Sequence, residues 1–389
     1  MMEFRLEARE WLTANCPDSL RRGLGGYTAG GRKATYGNPD TKLWLDRMAE
    51  RGWTAPTWPK EYGGGGLTNA ENMILDEEMR RINAPAALTG HGLTMIGPAI
   101  IEFGNDAQCR EHLPPIARGE IRWCQGYSEP GAGSDLAGLM MRAEEDGDDY
   151  VVNGSKIWTS GAVGADWIFC LVRTDFEASK HEGISFLVLD METPGVTVTP
   201  IELISGASEF CQTFFDDVRV PKRNLIGQPG QGWTVGKRLL QYERSSIGGR
   251  GGTRQRAKTI DEWAKEYVGE ADGQIADPAV RDAVTEQRIG DDAYQLTIRR
   301  SFEEATSSQA PSFLSSMFKL YGTEQNMRRN DLLMSILGTQ GLGWAGDGFT
   351  GAERGSTRGW LRSKANSIEG GTSEIQRNII AKRVLGLPD

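Results

Sequence analysis

The hydrophobic period of this 389-residue chain changes twice, near residues 121 and 231, and the double switch restricts the fold to helices, then strands, then helices. Before residue 120, Trp44, Leu45, Met48 and Ala49 form one apolar stripe ended by Gly52, and Met73, Ile74, Met79 and Ile82 form another before Pro85. Between them, Ala55-Pro-Thr-Trp-Pro-Lys-Glu-Tyr-Gly-Gly-Gly-Gly66 cannot continue a helix, because its prolines remove donors and its glycines relax the backbone. From 121 to 231, short β-rich runs take over, such as Tyr150-Val-Val, Trp167-Ile-Phe-Cys-Leu-Val172 and Ile184-Ser-Phe-Leu-Val-Leu189. After Gln228-Pro-Gly-Gln-Gly232 the helical pattern returns and runs to Leu387, broken only by a charged stretch around 266–277. A chain this long exceeds one compact core, so the expectation is three domains: 1–120 helical, 121–231 β, and 232–389 helical.

Composition narrows the chemistry. A net charge of -9 without a basic stripe argues against nucleic-acid binding. No apolar run approaches the ~18 residues a membrane helix needs, and the N-terminal Met-Met-Glu-Phe-Arg-Leu-Glu lacks a signal peptide's apolar core, so a cytoplasmic protein is expected. Five cysteines without a CxxC pair read as reduced, packed thiols. The three histidines and five cysteines form no set of three or four at metal-ligand spacing, so no metal site is expected. The chemistry is left to carboxylates or a cofactor.

Three segments carry that chemistry. In Cys124-Gln-Gly-Tyr-Ser-Glu-Pro-Gly-Ala-Gly-Ser-Asp135, the glycines and Ser134 let the backbone approach a flat or phosphorylated ligand, while Gln125 and Ser128 offer polar groups to a ring edge. Alone, Gly-Ala-Gly is an ordinary turn, and the Trp-Thr-Ser of Asn153-Gly-Ser-Lys-Ile-Trp-Thr-Ser-Gly161 is ordinary sheet packing. Together with Gly370-Gly-Thr-Ser-Glu-Ile-Gln-Arg377, they resemble the acyl-CoA dehydrogenase family. Phe214-Phe-Asp-Asp-Val-Arg-Val-Pro221, Leu337-Gly-Thr-Gln-Gly-Leu342 and the C-terminal Ile375-to-Pro388 segment extend the resemblance over nearly the whole chain.

The resemblance implies an N-terminal helical domain, a middle β-barrel-like domain and a C-terminal four-helix bundle around FAD and an acyl-CoA thioester. It places Gln125, Tyr127, Ser128, Gly133, Ser134, Trp158, Thr159 and Ser160 against the flavin, with Ser134 also near substrate. Thr372 and Glu374 fall on the pyrophosphate side, and Gly338 and Gly341 reach a neighbouring subunit's flavin, which implies a homo-oligomer. Electrons would pass to an electron-transfer flavoprotein. The Arg-x-x-Phe-Gly pattern that relatives use on the adenine half has no counterpart in 272–281.

The implied reaction removes the α-proton of the thioester to a base and the β-hydrogen to the flavin. In relatives the base is a Glu just before the C-terminal Gly-Thr. Here that substrate-facing position is Gly370. Two candidate bases remain: Glu369, one residue early and so turned away, and Glu243 in Gln241-Tyr-Glu-Arg-Ser245. Glu243 shares an inward helix face with Leu239, Leu240 and Ile247, at offsets of minus four, minus three and plus four. Its position also resembles the alternative base site of long-chain and isovaleryl-CoA dehydrogenases, and the adjacent Arg244 matches a substrate contact. Other readings are a flavin monooxygenase or desulfinase on the same fold, and a non-catalytic subunit of a mixed oligomer.

Overall fold

A computed structural model describes residues 1–24, 28–247, 258–305 and 314–388, with the backbone alone for 242–247 and 302–305. The chain forms two compact units, one of residues 1–201 and 209–242, the other of 202–208 and 243–389.

In the first unit, helices Met2–Asn15, Pro39–Glu50, Asn69–Arg81 and Asp106–Ala117 precede the sheet. The last two start with capping boxes, Thr68 with Glu71 and Asn105 with Gln108, each satisfying two otherwise orphaned amides. Trp44, Leu45 and Met48 are buried as their spacing predicts. The second stripe is rotated from its expected setting: Ile74, Leu75 and Glu78 face inward, whereas Met73 is exposed. Glu78 takes an inward position because Arg5, Arg9 and Arg81 surround its carboxylate, a partner set that no helical periodicity reveals.

Seven strands follow: β1 Trp123–Gly126, β2 Arg142–Asp146, β3 Asp149–Ser160, β4 Trp167–Arg173, β5 Ile184–Asp190, β6 Val196–Ile201 and β7 Phe210–Pro221. They lie in the order β1-β4-β2-β3-β7-β6, with β5 paired to β4. β1 runs parallel to β4, and β3 pairs antiparallel with β7. β4 and β5 are buried almost throughout, and accordingly read as unbroken apolar runs, whereas β7 alternates between core and surface.

Helical and strand segments on the two sides of the expected 120/121 boundary pack against each other in one cluster. Ile100, Leu113 and Ile116 pack in the same cluster as Trp123, Phe169, Phe186 and Val235. The His112 ring meets Trp123 and Trp167 edge-on at 5.4 and 4.8 Å. The change of period near residue 121 is therefore a boundary across which the two segments are closely packed. The division between the two compact units falls inside helix Gly232–Ile247.

The second unit is helical, with Ile260–Val268, Pro278–Ala305, Leu314–Leu337, Gly351–Ser363 and Ser373–Ile379 as its α-helices. The break expected around 266–277 is a hairpin of β8 Glu270–Ala271 and β9 Gln274–Ile275. All five cysteines are buried thiols. No described helix is long and apolar enough to cross a membrane.

Candidate functional site

The first two sequence segments meet in the first unit. β1 carries Gln125 opposite Phe169 of β4 and delivers the chain to Tyr127, whose buried ring abuts Phe169 and Phe186 edge-on. The Ser128 carbonyl then accepts the Ile157 amide of β3 at 2.9 Å. This places the glycine-rich loop beside the strand that holds Trp158, Thr159 and Ser160.

That strand is irregular at the expected position. The β3–β7 register slips between Lys156 and Thr159, and Trp158 in the slip adopts φ +62°, a left-handed conformation costly for a bulky residue. The bulge turns the indole outward, 53% exposed, with the Phe210 ring set edge-on at 6.2 Å. Thr159 then points inward, fully buried, and its hydroxyl has no partner among the described residues. Gly133 and Ser134 are exposed at the loop tip, and a Cβ added at Gly131 or Gly133 would meet no atom within 4 Å. An outward aromatic face, an open glycine tip and an orphaned hydroxyl fit a flat, hydrogen-bonding ring system such as a flavin.

Two buried cations that the motif reading passed over hold this loop. Lys156 is fully buried and donates from Nζ to Glu129 Oε1 at 2.8 Å and to the Tyr127 carbonyl at 3.1 Å. Burial lowers the Lys156 pKa, and the facing Glu129 opposes that shift. Arg173 donates to the Ala137 and Leu139 carbonyls at 2.9 and 3.0 Å. The available signal was Lys156 itself, an even-numbered neighbour of the inward Tyr150 and Val152 on β3. Burial pushes the Cys170 thiol up to about 12 against the opposing charge of Lys156, so Cys170 stays protonated.

The remaining predicted residues belong to the second unit. Gly338 and Gly341 lie in the 3-10 turn Gly338–Leu342, where the Gly341 carbonyl accepts from the buried Thr357 hydroxyl at 3.0 Å. Thr372 is the N-cap of helix Ser373–Ile379, its hydroxyl accepting the Ile375 amide at 3.2 Å, and Glu374 is exposed in the first turn. Gly370 adopts φ +64°, and its carbonyl accepts from Gln376 Nε2 at 3.2 Å. Ser373 Oγ, Gln376 Oε1 and Gln340 Oε1 are buried without a partner among the described residues, as a polar ligand's contacts would be in its absence. Glu369 is engaged by Arg362 Nη2 at 2.9 Å and Asn366 Nδ2 at 2.5 Å. Glu243 and Arg244 stand on helix Gly232–Ile247, but their side chains lie outside the described residues.

Known proteins resemble this chain over its whole length. Family models for the N-terminal, middle and C-terminal domains of acyl-CoA dehydrogenase match residues 30–120, 124–218 and 230–385. The chain is 37% identical to acyl-CoA dehydrogenase IpdE1 of Mycobacterium tuberculosis (strain ATCC 25618 / H37Rv) over 394 residues, covering 99% of this chain and 97% of that protein. Among solved structures, the Tcur3481-Tcur3483 steroid ACAD is similar with a TM-score of 0.77 and 30% identity, over 100% of this chain and 97% of that one. A chain of the ChsE4-ChsE5 complex from Mycobacterium tuberculosis is similar with a TM-score of 0.74 and 32% identity, over the same shares of the two chains. With all three domain models in order and a relative covering both chains nearly end to end, this chain belongs to the acyl-CoA dehydrogenase family, a family of flavoprotein oxidoreductases.

Proposed function

We propose that this chain binds FAD and oxidises the Cα–Cβ bond of an acyl-CoA thioester, with Glu243 as the base. The observation that supports it best is the pairing in the first unit of the open Gly131–Ser134 tip with the outward Trp158 and the unpartnered Thr159 hydroxyl. When bound, FAD supplies the hydride acceptor. Tyr127, Ser128, Ser134, Trp158 and Ser160 bind and orient its ring, Gln125 and Thr159 offer polar groups to its edge, and Thr372 and Glu374 serve its pyrophosphate side. Gly338 and Gly341 serve a neighbouring subunit's flavin. Glu243 removes the substrate α-proton, Arg244 contacts the substrate, and Gly370 leaves the space that relatives fill with a carboxylate. Electrons leave through an electron-transfer flavoprotein.

The steroid named for one solved relative supports a bulky, ring-bearing acyl group as substrate. The names of that relative and of the ChsE4-ChsE5 complex each join two components, which supports a second reading of the assembly: a mixed oligomer with a related partner chain rather than a homo-oligomer.

Anaerobic titration with a panel of acyl-CoAs tests the activity. The purified protein is expected to be yellow, and its flavin absorbance to bleach with ring-bearing acyl-CoAs at lower concentration than with short straight-chain ones. A flavin that no acyl-CoA reduces contradicts dehydrogenation. Mass and flavin content per chain in solution separate the assemblies: a homo-oligomer carries its flavin unaided, whereas a mixed one fills only with its partner present.

A further inference from the structure

Glu129 is the hub of the glycine-rich loop. Its carboxylate accepts from Lys156 Nζ at 2.8 Å and, eleven and twelve residues along the chain, from the Met140 and Met141 amides at 2.7 and 2.9 Å. One side chain thus closes the loop root, joining its first residues to its last and both to β3. Lys156 completes the closure by donating to the Tyr127 carbonyl, and stands two residues before the Trp158 bulge.

The tip depends on this root. A Cβ at Gly131 or Gly133 would touch nothing, and Gly133, Ser134 and Asp135 are exposed, so apart from the buried Ala132 and the Lys180–Asp135 pair at 2.6 Å the tip takes its position from where the chain enters and leaves it. A buried ion pair is a weak device for stability, since apolar groups of similar volume are often as stable. Its advantage is directional. A carboxylate meeting an ammonium and two adjacent amides fixes four chain positions at once.

We infer that Glu129 and Lys156 are positioning residues that lock the Gly131–Ser134 tip and the Trp158 bulge into one platform for the flavin. The inference rests on the flavin reading proposed above. Neither side chain need touch the cofactor: Lys156 is wholly enclosed, and Glu129 nearly so.

The test is a double variant, Glu129→Gln with Lys156→Met, which removes both charges together and leaves no unpaired ion in the core. In the full-length chain it is expected to keep its far-ultraviolet circular dichroism and cooperative melting. Its dissociation constant for FAD is expected to rise about 10- to 100-fold, the scale of losing a supporting shell around a preorganised site. The near-ultraviolet dichroism of Trp158, read as the difference from the same protein carrying Trp158→Phe, is expected to weaken as the bulge loosens. A folded double variant that binds FAD with native affinity overturns the inference.

Hydrogen exchange on the native, flavin-free chain provides an arm independent of whether the variant folds. The Met140 and Met141 amides are expected to be protected, and exchange at the rate of open loop amides overturns the inference. A native chain that takes up no FAD sinks the flavin reading itself. That result is distinct from native and variant chains binding FAD equally well, which removes only the role given to the pair.

Discussion

Arg362 Nη2 lies 2.9 Å from Glu369 Oε2, and the Asn366 amide donates to the other oxygen, so both carboxylate oxygens of Glu369 are bonded within its own unit. A base must offer an unengaged lone pair to the substrate. Glu369→Gln is therefore expected to change turnover little, whereas Glu243→Gln should lower it about 10²- to 10⁴-fold while flavin content is preserved. Steady-state rates of both variants on one reducing acyl-CoA decide this. The reverse ranking would make Glu369 the base.

Gly370 bears on the same question. Its φ of +64° is free for glycine and costs about 1 kcal/mol or more for glutamate. Adding Gly370→Glu to the Glu243→Gln protein is expected to restore only part of the lost rate and to lower the melting temperature. Full recovery without a stability loss would show that the turn adapts freely.

Trp158 is expected to separate stability from binding. Trp158→Gly relieves a left-handed backbone worth about 1–3 kcal/mol and loses an edge contact worth about 0.5–1.5 kcal/mol. Denaturant unfolding should therefore shift by no more than about 1 kcal/mol while FAD affinity falls. Trp123→Ala, which empties a site only 2% exposed, should cost about 3–5 kcal/mol. A Trp158→Gly protein as damaged as the Trp123→Ala one would mean that the outward ring is structural.

Thr372 combines a cap with a proposed ligand contact. Thr372→Ala should cost about 1 kcal/mol through the lost bond to the Ile375 amide. Thr372→Asn restores a cap without the hydroxyl, so it should recover stability and still retain flavin poorly. Equal flavin retention in both variants and the native chain would leave Thr372 a cap only.

Glu78 sets a pH dependence. Its carboxyl is held down to about 2, chiefly by the Arg9 hydrogen bonds, then Arg81 and Arg5, against an ordinary value near 4.5. Because the folded value is the lower one, the contribution is complete above about pH 4.5 and fades as pH falls toward 2. The three arginines are 37–44% exposed, so solvent screening limits Glu78→Gln to a loss of about 1–2 kcal/mol at pH 7. Denaturant melts at pH 7, 4 and 2.5 should show the gap between native and variant closing with acid. A gap independent of pH would mean that packing, not charge, is what Glu78 supplies.

The sequence by itself determined the order of helical and strand segments and the family, because periodicity and glycine-rich motifs are local and survive in one dimension. Trp44, Leu45 and Met48 are buried as their spacing requires, and the β4 and β5 runs are strands. Only the tertiary structure decided that the N-terminal helices and the sheet share a core, since helix Asp106–Ala117 meets β1 and β4 through His112, Trp123 and Trp167. It alone rotated Met73 outward and Glu78 inward, and tied Glu129 to Lys156 across 27 residues. A buried charge is stable only with partners that long-range folding delivers, and no run of neighbouring residues encodes who they are.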